Sequence, residues 1–253
     1  MNRFFTLLLA ASCLTAVGQV TYPYNPDGNN DGIISLNDLL DILSTYGLAF
    51  EIQEHICGLP VAYHGVIYNT TLIGSQCWFA ENLATSEFRN GEETPLRSSN
   101  SSWTDAANNQ LAARCYPTQN AGFENIESLG FLYNWFAVSD SQNLCPVGWS
   151  VPTSSQFGIL KARAGGTEYS AMALKDDDWG FNSCGFAGKQ GSTRGYSGSY
   201  VGETGFWSRS IGSSQITNDY MSKYMRLPPG NVQQVLIEEL NNFTGMYVRC
   251  IKD

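Results

Sequence analysis

The sequence predicts an α+β, disulfide-bonded domain of short strands, few helices and long loops, preceded by a small N-terminal loop-helix segment. Three observations carry this. From Cys57 onward, short apolar runs such as "GVIYNTTLIG", "QCWFAENL", "LGFLYNWFAV" and "CPVGWSVPT" are separated by Gly, Ser, Asn and Pro, the texture of short strands and turns. Helix signals are few: "TSSQFGILKARAG" has Thr153 or Ser154 as its cap, Phe157 and Leu160 on one face and a Gly stop, and "SSWTDAANNQLAARC" is a second candidate. Third, seven cysteines are present, and removing Cys13 with the leader leaves six, an even set. No unit of 20 to 50 residues repeats, which excludes a solenoid or propeller array.

Residues 1–18 read as a secretory signal peptide. Arg3 supplies the positive end, Phe4 to Leu9 the apolar run and Ala16-Val17-Gly18 the small-residue exit, so the mature chain is expected to begin near Gln19. The run is too short to span a membrane, and no comparable stretch follows. The alternative is a lipoprotein site at Ala10-Ala11-Ser12-Cys13 with Cys13 acylated, and Ala in place of the usual Leu three residues before the Cys argues against it. The protein is therefore expected outside the cell, secreted or at the surface.

Residues 19–50 hold the chain's clearest ligand spacing. Counting from Asp27, side-chain oxygens fall at position 1 (Asp27), 3 (Asn29), 5 (Asp31), 9 (Ser35) and 12 (Asp38), with Gly32 at position 6 and the Ile33 carbonyl at position 7. Ca²⁺ takes six to eight oxygens, and a sharp turn at position 6 wraps the chain around it, so the spacing is that of an EF-hand loop. Asp at position 12 has a shorter reach than the usual bidentate Glu. An Asx-rich turn is the alternative, and the register of all these positions favours calcium. Leu36, Leu39, Leu40, Leu43 and Tyr46 then form one face of a helix that Gly47 caps. Residues 51–56 are a linker.

Composition bounds the function. Residues of hydrophobic type make up 43% of the 253, enough for a substantial core. Charged residues make up 15%, the formal net charge is −9 and no Lys or Arg cluster follows a phosphate backbone, so nucleic acid is not an expected partner. In an exported chain six cysteines imply three disulfides, with 15 pairings open. No C-x-x-C pair occurs, and neither His55 nor His64 has a partner three or four residues on that would complete a metal site.

Two resemblances follow from these motifs. The segment "DGNNDGIISLNDLLDILSTYG" resembles a single dockerin repeat, a calcium loop and helix without an incoming helix. Dockerins use two repeats to bind a cohesin, and the one repeat here makes cohesin docking doubtful. From residue 57 to 253 the chain resembles the Fibrobacter succinogenes major paralogous domain of exported bacterial proteins. The resemblance rests on "IGSQCWFAENLATSEFRNGEETP", "LGFLYNWFAV", "CPVGWSVPTSSQFGIL", "GYSGSYVGETGFWSRS" and "GMYVRCIKD", in that order. Ser150 stands where the family often has His, and Gln156-Phe157 where it often has Glu-Trp, so a role resting on that His or Glu is lost here. The motif order is also similar to the C-type-lectin-like fold, which formylglycine-generating enzymes share. The resemblance implies a Cys145–Cys250 bridge, because its "CP-x-GW" and "V-R-C" segments keep these cysteines. It supplies no catalytic residues.

The residues themselves favour architecture and binding over catalysis. Trp78, Trp135, Trp149 and Trp207 lie in apolar or alternating surroundings and are expected in the core. Asp176-Asp177-Asp178 reads as a solvated turn. No Ser nucleophile has a His in a recognisable motif, and a convergent carboxylate pair is not visible in sequence. The expected function is a non-catalytic binding or adhesion module for an extracellular glycan, protein or matrix ligand. A structural surface component is the alternative, and an extracellular enzyme the second. Tyr196, Tyr200 and Tyr220, set among Gly, Ser and Asn, are the candidate ligand surface, since rigid amphipathic rings on polar loops are what antibody loops use.

Overall fold

A computed structural model describes residues 55–118, 123–213 and 220–253. The signal peptide, the lipoprotein alternative at Cys13, the Asp27–Asp38 calcium loop and the helix after it lie outside these residues.

The described chain is α+β. Strands β1 (Val61–Tyr63) and β2 (Val66–Tyr68) form a tight hairpin whose two loop residues, His64 and Gly65, have φ of 46° and 76°. Positive φ at both loop positions is what a type I′ turn requires, and it matches the twist of the flanking strands. A second hairpin, β3 (Thr70–Ile73) and β4 (Gln76–Phe79), begins the main sheet. Next come helix α1 (Asn100–Asn108), β5 (Arg114–Cys115), α2 (Phe123–Leu129), β6 (Leu132–Tyr133), α3 (Trp135–Val138) and β7 (Trp149–Ser150). Helices α4 (Ser154–Arg163) and α5 (Gly166–Leu174) follow, then β8 (Thr193–Arg194), β9 (Tyr200–Val201), β10 (Thr204–Ile211), β11 (Met221–Leu227), β12 (Leu236–Asn241) and β13 (Ile251–Lys252).

The main sheet runs β3-β4-β13-β7, so the final strand is inserted between an early strand and a middle one. The last strand thus ties β4 to β7. An antiparallel meander β10-β11-β12 forms the second sheet, and β5-β6 and β8-β9 are two-stranded ribbons.

Adjacent residues of the central strands enter two different cores. Cys77, Phe79, Trp207, Met246 and Val248 belong to one, with Tyr68, Tyr133 and Trp149. Trp78, Phe206 and Tyr247 belong to the other, with Trp103, Phe157, Leu160 and Phe186. Side chains alternate faces along a strand, so a strand covered on both faces reads as a continuous apolar run. That explains "QCWF" and "GFW". Burial of each large apolar side chain contributes about 1.5–3 kcal/mol. Trp78, Trp149 and Trp207 are buried as expected, whereas Trp135 is half-buried with its indole N–H donating to the Ser208 carbonyl at 3.0 Å.

Helix α4 starts as its sequence predicts. Thr153 is the N-cap, its hydroxyl accepts from the Gln156 N–H, and Gln156 closes the reciprocal half of a capping box. Phe157 and Leu160 are fully buried. The expected Gly stop holds at Gly165, with φ of 106°, but a second helix, α5, starts at once after it.

Two bridges form, not three. Cys145–Cys250 spans 105 residues and joins the segments that enter β7 and β13, while Cys57–Cys77 spans 20 and pins the N-terminal side of the domain to β4. Cys115 and Cys184 are free. An even count does not require pairing, because a buried Cys also serves as a small apolar residue. Cys115 does so on β5, wholly buried in the second core, where burial pushes its thiol pKa up to about 11.

Buried cations hold the long loops. The Arg194 guanidinium, 0% exposed, donates to the carbonyls of Arg97 at 2.5 Å, Ser98 at 3.0 Å and Gly198 at 3.2 Å, and to Asn100 Oδ1 at 3.1 Å. It also lies 5.0 Å from the Trp103 ring and 5.2 Å from Tyr200. Arg114 reaches the Thr94 carbonyl, and Lys175 Nζ donates to the Gly230 carbonyl at 2.6 Å. Loop carbonyls that no strand satisfies are thus satisfied by charge-assisted donors.

Candidate functional site

The candidate site is a shallow cleft where three polar loops meet. Helix α1 forms one wall. Ser99 caps its N-terminus, Trp103 anchors it in the core, and Asn108 with Gln110 projects at its exposed C-terminal end. The loop Gly195–Ser199 lies against this helix: the Trp103 indole N–H donates to the Gly195 carbonyl at 3.0 Å and the Thr104 hydroxyl to the Tyr196 carbonyl at 3.2 Å. Gly198 turns the loop with φ of 84°, and a Cβ there would meet the Asn100 carboxamide at 2.5 Å, so no other residue fits. Tyr196 is thereby held in place, and its hydroxyl donates to Asn108 Oδ1 at 2.6 Å.

The opposite wall is the turn after β12. Thr244 N–H donates to the Asn241 carbonyl at 3.1 Å, its hydroxyl to Asn241 Oδ1 at 3.0 Å, and Phe243 stands at the turn. The Phe243 ring is the centre of an aromatic group, 5.8 Å from Tyr196, 6.2 Å from Tyr220 and 5.8 Å from Phe136 between centroids. The Asn242 N–H donates to the Tyr220 carbonyl at 2.7 Å and fixes that residue beside the turn. The cleft has a volume of about 460 Å³ and is lined by Ala107, Asn108, Gln110, Tyr196, Tyr220, Asn241 and Phe243. Among the described residues no charged side chain lines it, although the protein carries a net charge of −9.

Two of the three tyrosines named from sequence meet here. Tyr196 is 43% and Tyr220 44% exposed, so both rings keep a free face. Tyr200 is not at the cleft, and its expected exposure is corrected. The pairing of Tyr200 with Arg194 across β8-β9 turns its ring under the Arg194 guanidinium. Its hydroxyl donates to the Tyr116 carbonyl at 3.1 Å, and burial raises its pKa. It supports the loop from beneath. Sequence reasoning missed Phe243, Asn108, Gln110 and Asn241, and the only signal for them was an aromatic and amides in exposed turns. The calcium ligand set Asp27, Asn29, Asp31, Ile33, Ser35 and Asp38 lies outside the described residues.

Several titratable side chains of the described residues are engaged in structural contacts. Glu203 and Glu238 both ion-pair with Arg226, at 2.8 and 3.1 Å. Neither histidine addresses a serine: His64 Nδ1 is 2.7 Å from the Thr85 hydroxyl and His55 Nε2 is 3.3 Å from the Thr70 hydroxyl. Asp177 Oδ1 accepts from the Trp179 N–H at 2.8 Å, which makes the triple-aspartate stretch an Asx turn. Among the described residues no three His, Cys, Asp or Glu side chains converge as a metal site, and no helix is long and apolar enough to cross a membrane.

A family model described as the Fibrobacter succinogenes major domain matches residues 72–252. No curated protein and no solved structure matches the chain. The matched span runs from the first hairpin of the main sheet to the strand that closes it, and the chain belongs to the Fibrobacter succinogenes major domain family.

Proposed function

We propose that the protein is an exported, non-catalytic binding module of C-type-lectin-like architecture whose cleft takes a neutral carbohydrate. The observation that carries this is the lining: aromatic rings and carboxamides, with no charge among the described residues. Sugars present C–H faces that pack on aromatic rings and hydroxyls that pair with amides, which offer donors and acceptors side by side. Among the described lining residues a charged ligand would find no counter-ion. The shallow shape suits a chain end or a short internal stretch of glycan, and predicts modest affinity.

Export is supported by the two disulfides, which persist in oxidising compartments, together with the N-terminal pattern of charge, apolar run and small residues. The lectin-like reading is supported by the insertion of β13 between β4 and β7 and by the long loops that surround the cleft. The N-terminal segment binds one Ca²⁺ through Asp27, Asn29, Asp31, the Ile33 carbonyl, Ser35 and Asp38. This donor set is all oxygen, as a hard cation requires. Asp31→Ala should abolish the calcium heat in calorimetry on the mature chain, and an unchanged heat would leave the loop a polar turn.

A glycan array with the mature chain tests the central reading, and the expected hits are neutral oligosaccharides. An empty array would favour the structural surface component. Turnover of any arrayed glycan would favour an enzyme.

A further inference from the structure

Arg249 immediately precedes the bridged Cys250 and is only 1% exposed. Its terminal nitrogens donate to the Phe186 carbonyl and to Asn82 Oδ1, and its guanidinium lies 4.0 Å from the Phe186 ring and 5.2 Å from Phe206. Its Nε has no partner, and among the described residues no carboxylate forms an ion pair with it. A buried cation without a directly paired carboxylate is costly, and burial draws its pKa down to about 9 against the opposing pull of the nearby Glu81 carboxylate. Arg114, by contrast, ion-pairs with Glu93 at 3.3 Å.

Arg249 lines a cavity of about 180 Å³, separate in its residues from the aromatic cleft. Buried Asn82 lines it beside Arg249, and Lys189 adds a second cation. Glu81, Glu127 and Asp176 line it as well, the last two exposed. Glu81 is already committed, accepting from the Asn69 N–H and carboxamide at 2.8 Å each.

We propose that this cavity binds a small zwitterion of the amino-acid class, with its carboxylate on Arg249 and Lys189 and its ammonium on Glu127 and Asp176. The charge pattern selects this class. A simple anion would sit among three carboxylates, and a simple cation would sit against Arg249 and Lys189. A divalent metal is disfavoured because the acidic side chains do not converge as a ligand group. A molecule with both charges satisfies both sets, supplies the direct ion-pair partner that Arg249 lacks among the described residues, and is small enough for the volume.

The test uses the intact mature chain and calorimetric titration with L-alanine, L-serine and L-glutamate, against propionate and propylamine as single-charge controls. At least one amino acid should bind saturably, and each control about tenfold more weakly or not at all. Arg249→Met puts folding at risk, so the variants are Lys189→Met and Glu127→Gln, both on side chains outside the core. Each should weaken amino-acid binding about tenfold with an unchanged melting temperature, while Tyr220→Ala leaves it unchanged. Absence of saturable binding by all three amino acids, propionate binding as tightly as they do, or full affinity in both variants would overturn the proposal.

Discussion

Replacing Arg194 with Met should loosen the candidate cleft by removing the group that anchors its loop. Met keeps an apolar stem against Trp103 and Tyr200 but removes the four hydrogen bonds that join Gly198 to Arg97, Ser98 and Asn100. Hydrogen bonds to a charged group contribute about 1.5–3 kcal/mol each, a gross loss of roughly 6–12 kcal/mol. The variant also escapes the cost of desolvating a guanidinium, several kcal/mol. The Arg97 and Ser98 carbonyls it leaves are only partly buried and recover some hydration, while that of Gly198 stays buried. The net destabilisation is therefore about 3 kcal/mol, below either gross term. For a domain of this size that lowers Tm by about 6–12 °C. Urea denaturation with both disulfides intact measures it. A loss below about 1 kcal/mol, the range of ordinary surface substitutions, would refute the assignment of Arg194 as the loop's anchor.

Four further outcomes are expected. Thiol alkylation mapped by mass spectrometry should find Cys184 modified in the native protein and Cys115 only after unfolding, whereas a Cys115–Cys184 crosslink would contradict the two-bridge assignment. Loss of the Cys145–Cys250 bridge by Cys145→Ser should cost about 4–5 kcal/mol on loop length alone, against about 3 kcal/mol for the shorter Cys57–Cys77 loop. Alkali should unfold the protein, because burial pushes Tyr63 and Tyr247 up to about 12 and raises Tyr68, Tyr133 and Tyr224 as well. Above the unfolded pKa near 10 the unfolded chain releases protons that the folded one keeps, so this contribution to stability is full below pH 10 and declines above it. Ordinary titration of every tyrosine near pH 10 in a still-folded protein would contradict this. Finally, Tyr200→Ala should destabilise by about 2 kcal/mol while Tyr196→Ala and Tyr220→Ala stay within about 1 kcal/mol, and equal effects at all three would remove the distinction between support and surface.

What the sequence made legible was whatever has a fixed local spacing. Helix α4 was readable because a cap, an apolar pair and a Gly stop sit at set intervals, and Trp78 and Trp207 because their runs are apolar on both sides. Helix α5 was hidden behind Gly165-Gly166, which in sequence only marks an ending. Arg194 and Arg249 were invisible as core residues, since a guanidinium that satisfies distant loop carbonyls has partners about 100 and 60 residues away and no periodicity to announce it. The third bridge was expected because parity treats every cysteine as paired, and the core offers Cys115 another place. At the site, exposed composition identified Tyr196 and Tyr220 but not the ring between them, because Phe243 reaches the cleft through the pairing of β11 with β12.

The measurement closest to the central claim is a calorimetric titration of the mature chain with the strongest neutral oligosaccharide from the array, repeated with Tyr220→Ala and with Asn108→Ala. Each variant should weaken binding about tenfold or more while its melting temperature stays with the parent. Undiminished affinity in both variants, or an array on which only charged glycans bind, would contradict a neutral-carbohydrate site between Tyr196, Tyr220 and Phe243.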